Sequence, residues 1–214
     1  MMNGIRQELV LEACVEGIEE AMRAEVQGAH RIELCSALQE GGITPSIGLI
    51  REAVSYLTIP VFVMIRPRGG NFVYSSSEIR VMKEDIVACR EAGVHGVVFG
   101  MLQHDGSINL DQLYTLVEVA RPMQITFHKA IDSSWNIPYE LGRLRDAGIH
   151  RVLSSGGCET ALEGAPVLNE MLRIANGKIK IVVAGKVTCD NVNDLAAMIP
   201  ASEFHGKKIV GNLN

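Results

Sequence analysis

The chain has 214 residues, 47% hydrophobic and 21% charged, with 20 basic against 25 acidic side chains and a formal net charge of −5. This balance describes one soluble globular domain, residues 1–214, excludes a disordered chain, and gives no broad positive field that would attract nucleic acid or an anionic membrane. No apolar run approaches the roughly 20 residues of a membrane helix, and residues 1–4 lack the start of a signal peptide, so a cytoplasmic protein is expected. The five cysteines form no C-x-x-C pair, which argues against a disulfide framework, a zinc ribbon or a thioredoxin-type site.

In chain order, β-rich runs predict strands near 9–14, 31–35, 61–66, 97–100, 124–128, 151–154, 180–184 and 203–205. One fragment recurs before three of them: Gly28-Ala29-His30-Arg31-Ile32-Glu33-Leu34, Gly93-Val94-His95-Gly96-Val97-Val98-Phe99 and Gly148-Ile149-His150-Arg151-Val152-Leu153-Ser154. Its glycine suits a left-handed helix cap, and the residues after it suit a strand, so the repeat marks β-α modules. Helices fill the intervals. Ser75-x-x-Glu78 reads as a capping box ahead of a stripe of Ile79, Met82, Ile86 and Cys89. Pro45, Pro138 and Pro166 fit first turns, and Asn176-Gly177 fits a stop. Eight strands joined through seven helices predict an α/β fold of the (β/α)8, or TIM-barrel, type. The absence of a Gly-x-Gly-x-x-Gly turn counts against an open doubly wound sheet. Only nine residues follow His205, too few for a regular eighth helix. Some other surface must then cover strand eight, and a partner subunit, giving a homo-oligomer, is the expected one.

Alternation along each strand separates the helix-facing from the barrel-facing side chains. Leu11 and Ala13, Ile32 and Leu34, Val63 and Ile65, Ile125 and Phe127, and Phe204 mark the outer faces. Glu12, Cys14, Glu33, Cys35, Arg66, Thr126, His128, Glu203 and His205 are left to point inward. Barrel interiors are ordinarily filled with branched apolar residues, and the position of Glu33 is held by Val98 and Leu153 in the sister repeats. Glu12, Glu33, Arg66, His128 and His205 are therefore candidate catalytic residues at the C-terminal mouth, the alternative being a salt-bridge plug. His30, His95 and His150 fall in turns at the opposite face and read as structural. His104 reads as a loop residue.

Several long motifs carry a resemblance: Arg31-Ile32-Glu33-Leu34-Cys35-Ser36, Glu40-Gly41-Gly42-Ile43-Thr44-Pro45-Ser46, Val63-Met64-Ile65-Arg66-Pro67-Arg68-Gly69-Gly70-Asn71-Phe72-Val73-Tyr74-Ser75, Thr126-Phe127-His128-Lys129-Ala130-Ile131-Asp132 and Glu203-Phe204-His205-Gly206. They closely resemble the CutC family over essentially the whole chain. The resemblance implies a cytoplasmic TIM barrel linked to copper tolerance, with cuprous ion on two cysteines that match Cys14 and Cys35, and no agreed enzymatic reaction. Two positions depart from the family pattern: Ala184-Gly185-Lys186 stands for its glycine-rich turn after strand seven, and Asn71 for an acid before Phe72.

Two functional readings follow. In the first, Cys14 and Cys35, on neighbouring strands about 4.8 Å apart, hold Cu(I) as soft thiolate ligands. Cys89, Cys158 and Cys189 are not expected to take part. In the second, the mouth binds or transforms a small anionic, phosphorylated substrate. Ser155, Gly156 and Gly185 would supply backbone N–H groups, and Lys186, Arg66 and Arg68 charge. His128 or His205 would move the proton there, with Glu12 and Glu33 as partners. Zinc held by the same cysteines with His128 or His205 is a third arrangement the residue types permit.

Overall fold

The computed structural model describes residues 9–213. The signal-peptide reading of residues 1–4 falls outside them. Eight parallel strands close a barrel in sequential order: β1 (Val10–Val15), β2 (Arg31–Leu34), β3 (Val61–Met64), β4 (Gly96–Phe99), β5 (Gln124–Phe127), β6 (Arg151–Ser154), β7 (Lys180–Val183) and β8 (Glu203–Gly206). Seven α-helices connect them: α1 (Ile18–Val26), α2 (Ile47–Tyr56), α3 (Ser76–Ala92), α4 (Leu110–Ala120), α5 (Ile137–Asp146), α6 (Ala165–Ala175) and α7 (Val192–Met198). This is the TIM barrel that the alternating pattern predicts. The strands stop a residue or two short of several predicted ends, so Cys35, Arg66, His128 and Ala184 begin the mouth loops.

Local chemistry sets the helix ends. Ser75 Oγ accepts from the Glu78 N–H while the Glu78 carboxylate accepts from the Ser75 N–H, which closes the capping box. Pro138 and Pro166 sit in first turns, but Pro45 lies one residue before the Ser46 cap of α2, because the Ser46 side chain is the better acceptor for the Leu49 N–H. Asn176 ends α6 in the left-handed conformation.

The repeated Gly-x-His fragment has a specific structural use. The Nδ1 atoms of His30, His95 and His150 accept the N–H groups of Leu11, Val61 and Ile125 at 3.2, 3.2 and 3.0 Å. Each histidine's own N–H donates to the carbonyl of that same residue. The strands β1, β3 and β5 are thus each clipped near the start to the following strand by a two-point contact.

No helix follows β8 among the described residues. The C-terminal segment turns back onto α1 instead: Arg23 Nε donates to the Leu213 carbonyl at 2.6 Å and Gln27 Nε2 to that of Asn212 at 3.2 Å. Ile209 and Leu213 are buried against the core, and Phe204 on β8 is fully covered. The chain's own tail does what a partner subunit was expected to do, so burial of β8 carries no argument for oligomerisation.

Two separate sets of apolar side chains result from strand alternation. Ala13, Ile32, Leu34, Val63, Ile65, Val97, Phe99, Ile125, Phe127 and Phe204 pack outward against the helices. Inside the barrel, Cys14, Cys35, Phe62, Met64 and Val98 form a small cluster, and Leu153, Val182 and Ala184 another. Below them lies a charged layer. Arg31 donates through Nε to Glu12 and through Nη2 to Glu203 at 2.8 Å, and Arg151 reaches the same Glu203 oxygen at 3.0 Å. Both guanidinium groups stack on the Phe62 ring, at 4.9 and 5.2 Å. Of the five residues that the sequence offered as a plug or a functional site, Glu12 belongs to this salt-bridged layer, which otherwise consists of Arg31, Arg151 and Glu203.

Candidate functional site

The mouth opens into a cavity of about 520 Å³, lined at its base by Cys14, Glu33, Cys35, Met64 and His205 and further out by Arg66, Phe72, His128, Lys129 and Lys186. Strand register explains the base. Cys14 pairs with Glu33 across β1 and β2, and Glu12 with His205 across β1 and β8, so alternate side chains of three adjoining strands converge. The Cys14 and Cys35 sulfurs and a Glu33 oxygen lie within 4.8 Å of one another. Ligand atoms of Glu12, Glu33 and His205 do so as well. His205 Nδ1–H donates to Glu12 Oε1 at 2.8 Å and faces Glu33 Oε2 at 3.4 Å.

Burial and charge divide the protonation states. Burial pushes Glu12 up, but the charge of Arg31 and the contacts to His205 outweigh it and hold the carboxyl near about 2. Burial dominates at Glu33, which makes no ion pair with an arginine among the described residues, and raises it to about 8 against the opposing charge of His205. Among the described residues Glu33 Oε1 has no hydrogen-bond partner. Burial works against charge on His205, yet Glu33, Cys14 and Glu12 together raise it well above the ordinary histidine value. The hydrogen bond from Cys35 lowers the Cys14 thiol to about 6, and the same contact pushes Cys35 upward. The pair is thus one thiolate supported by one thiol, next to an imidazolium.

On the far wall, His128 Nδ1 accepts the Ala130 N–H at 3.1 Å, which leaves the ring proton on Nε2. That Nε2 has no partner, and burial with the nearby Arg66 charge lowers the imidazole to about 3. Gly100 makes room for the ring: a Cβ there would lie 2.6 Å from His128 Nδ1. Arg66 lines the cavity, although it does not pair with the base carboxylates. Its guanidinium donates to the carbonyls of Glu40, Gly42 and Gly70 at 2.7–2.9 Å and stacks on Phe72, tying two mouth loops together.

The anion-binding candidates separate. Gly185 and Lys186 line the cavity, with the Lys186 ammonium 2.5 Å from Glu159. Ser155 and Gly156 do not line it, because an internal carboxylate uses that turn. Asp132 accepts from the N–H groups of Ser155 and Gly157 and from the hydroxyls of Ser154 and Ser155, and the Gly156 N–H goes to Ser154 Oγ. Arg68 also lies off the cavity wall. It bridges Glu78 and donates to the carbonyls of Gly69, Asn71 and Val73, while Asn71 Oδ1 accepts the Val73 N–H. Cys89, Cys158 and Cys189 do not line the cavity. Sequence reasoning missed Arg31, although it shares the parity of Glu33 and Cys35. It also assigned no role to Asp132, Lys129, Lys207 or Lys208.

Residues 9–210 match the CutC family. The chain belongs to the CutC family. It is 43% identical over 202 residues, 94% of its length, to a human copper homeostasis protein cutC homolog, covering 74% of that protein. A family protein CutC of Glaesserella parasuis is 40% identical over 195 residues, covering 91% of this chain and 80% of that one. The crystal structure of the CutC protein of Streptococcus agalactiae superposes with a TM-score of 0.90 at 33% identity, covering 94% of this chain and 99% of that one. An aldolase named QR15 matches with a TM-score of 0.67 at 11% identity, a likeness of fold alone. The matched residues 9–210 include the β1, β2, β3, β5 and β8 segments that build the cavity.

Proposed function

We propose that this CutC-family chain serves copper homeostasis by binding cuprous ion between Cys14 and Cys35. One observation carries the reading: two buried thiols on adjoining strands stand within 4.8 Å of each other and of Glu33 at the base of an open cavity. Thiolates are soft donors that favour Cu(I), and a pair at that spacing can take an ion between them with little movement. His205, held by Glu12, offers a counter-charge to the thiolate before the metal arrives. All five described cysteines are free, which suits a reducing cytoplasm. The relatives' names support the assignment.

Titration of Cu(I) under anaerobic, reducing conditions against a chromophoric chelator tests the pair. The parent chain is expected to take up one equivalent, and the Cys14→Ser/Cys35→Ser chain to lose it. Equal affinity in the two would refute the assignment.

A second reading rests on the cavity itself. Its volume and its lining of Arg66, His128, Lys129, Lys186, Lys207 and Lys208 fit a small anionic ligand. In that reading, His128 donates a hydrogen bond from Nε2, and His205, with Glu12 and Glu33, moves the proton. Stabilisation of the parent, but not of the Lys186→Glu chain, by inorganic phosphate or a dicarboxylate would support it. No shift with either would count against it.

A further inference from the structure

We propose that the cavity takes copper as a complex with a small anionic thiol rather than as a bare ion. This inference rests on the copper reading given above. Cys14 and Cys35 lie on β1 and at the end of β2, and His128 and Lys129 follow β5, which stands opposite β1 in an eight-stranded barrel closed in sequential order. An ion held by the two sulfurs therefore leaves most of the roughly 520 Å³, and the whole opposite wall, without an occupant.

The chemistry of the mouth around that space matches what such a ligand would carry. Lys129, Lys186, Lys207 and Lys208 surround the opening, against the lining carboxylates of Glu33 and Glu159. Lys129 is only loosely held by Asp132, at 3.7 Å, and Lys207 by Glu16, at 3.8 Å. Lys186 pairs with Glu159, a rim residue whose side chain is mostly exposed and free to swing aside. Deeper in, His128 Nε2–H is a buried donor without a partner among the described residues. A buried donor of this kind ordinarily has an acceptor, and an incoming carboxylate would supply one.

The metal's own needs point the same way. Cys14 and Cys35 are the thiols at the base, and Met64 adds a neutral thioether. The other neighbours are the hard carboxylate of Glu33 and His205, whose Nδ1 is engaged by Glu12. A third thiolate, a stronger donor to Cu(I) than a thioether, can come from outside. In the exchange, [Cu(SR)2]⁻ meets one cysteine thiolate and one cysteine thiol. Both cysteine sulfurs bond to copper, one Cu–SR bond breaks, and the second is kept. The single cysteine proton leaves on the departing RSH. Copper stays Cu(I) throughout. The copper centre so formed has a net charge of −2, in addition to the carboxylates of R, and the lysines at the rim oppose it.

Native mass spectrometry under anaerobic conditions separates the possibilities, with Cu(I) supplied alone, with reduced glutathione as a thiol bearing two carboxylates, or with 2-mercaptoethanol as a neutral one. The parent chain is expected to hold one copper and one glutathione together. In the Lys129→Glu/Lys186→Glu chain, the ternary species should weaken on the order of tenfold while copper supplied alone still binds. Lys186 is largely exposed and Lys129 half-buried, and circular dichroism checks that this chain folds like the parent. A ternary species equally abundant with 2-mercaptoethanol, or indifferent to charge reversal, overturns the proposal. So does glutathione retained without copper by the Cys14→Ser/Cys35→Ser chain. If the parent binds copper without glutathione, this inference alone fails. If it binds no copper from any source, the copper reading fails first.

Discussion

Replacing Arg31 by methionine tests whether the lower charged layer holds the barrel together. The substitution keeps much of the side-chain length and removes the partner of both Glu12 and Glu203, carboxylates 2% and 5% exposed. Glu203 keeps Arg151, so the main loss falls on Glu12. The displacement of Glu12 from 4.5 to about 2 corresponds to about 3 kcal/mol of native-state stabilisation. Removing one member of a buried pair generally costs about 3–5 kcal/mol, and roughly 10 °C in Tm is expected for a chain of this size. The sign with pH is fixed. In the parent, the lowered Glu12 contributes fully above pH 4.5 and its contribution is lost as pH falls toward 2. In the variant, only His205 opposes the burial of Glu12, which then titrates higher than in the parent, so the deficit is largest near neutral pH and shrinks on acidification. Urea unfolding followed by circular dichroism at pH 7 and pH 5 measures both quantities. A deficit below about 1 kcal/mol at pH 7, or one that does not change with pH, would refute this account of the layer.

Three other outcomes are expected. Glu33→Gln should raise Tm, more at pH 8 than at pH 5, because the penalty on its raised carboxyl grows as pH climbs from 4.5 through about 8; differential scanning calorimetry at the two values would show a flat or opposite trend if Glu33 were structural. Gly100→Ala places a methyl 2.6 Å from His128 Nδ1 and should destabilise by about 1–3 kcal/mol in chemical unfolding, with partial recovery on adding His128→Ala. Absence of recovery would move the clash elsewhere. His95→Ala removes the side-chain acceptor of the Val61 N–H and should cost about 1 kcal/mol, visible as faster amide exchange at Val61, whereas His104→Ala should leave that exchange unaltered.

The barrel and its inward-facing residues were legible because a strand's period is two, and a single well-placed apolar residue fixes the facing of its neighbours. Phe204 alone assigned Glu203 and His205 to the interior, where both are found. Height along the strand was not legible. Glu12 and Glu203 share the facing of Glu33, yet shear between strands lowers them to the level of Arg31, and Arg31 went unnoticed for want of that coordinate. Loops gave the least. The Ser154-Ser155-Gly156-Gly157 turn has the amides of an anion site, but nothing in its composition tells that Asp132, more than 20 residues earlier in the chain, fills it. Arg66 and Arg68 follow the same pattern: their charge is plain in the sequence, but the carbonyls that hold them come from loops whose paths only the folded chain defines.

The layer of Arg31, Glu203 and Arg151 stacked on Phe62 also closes the barrel interior below Cys14 and Cys35. Whatever reaches those two residues enters and leaves on the C-terminal side of the barrel. Release then cannot be driven by a gradient across the protein. It requires a competing ligand to arrive through the entrance and trade places with the one already inside.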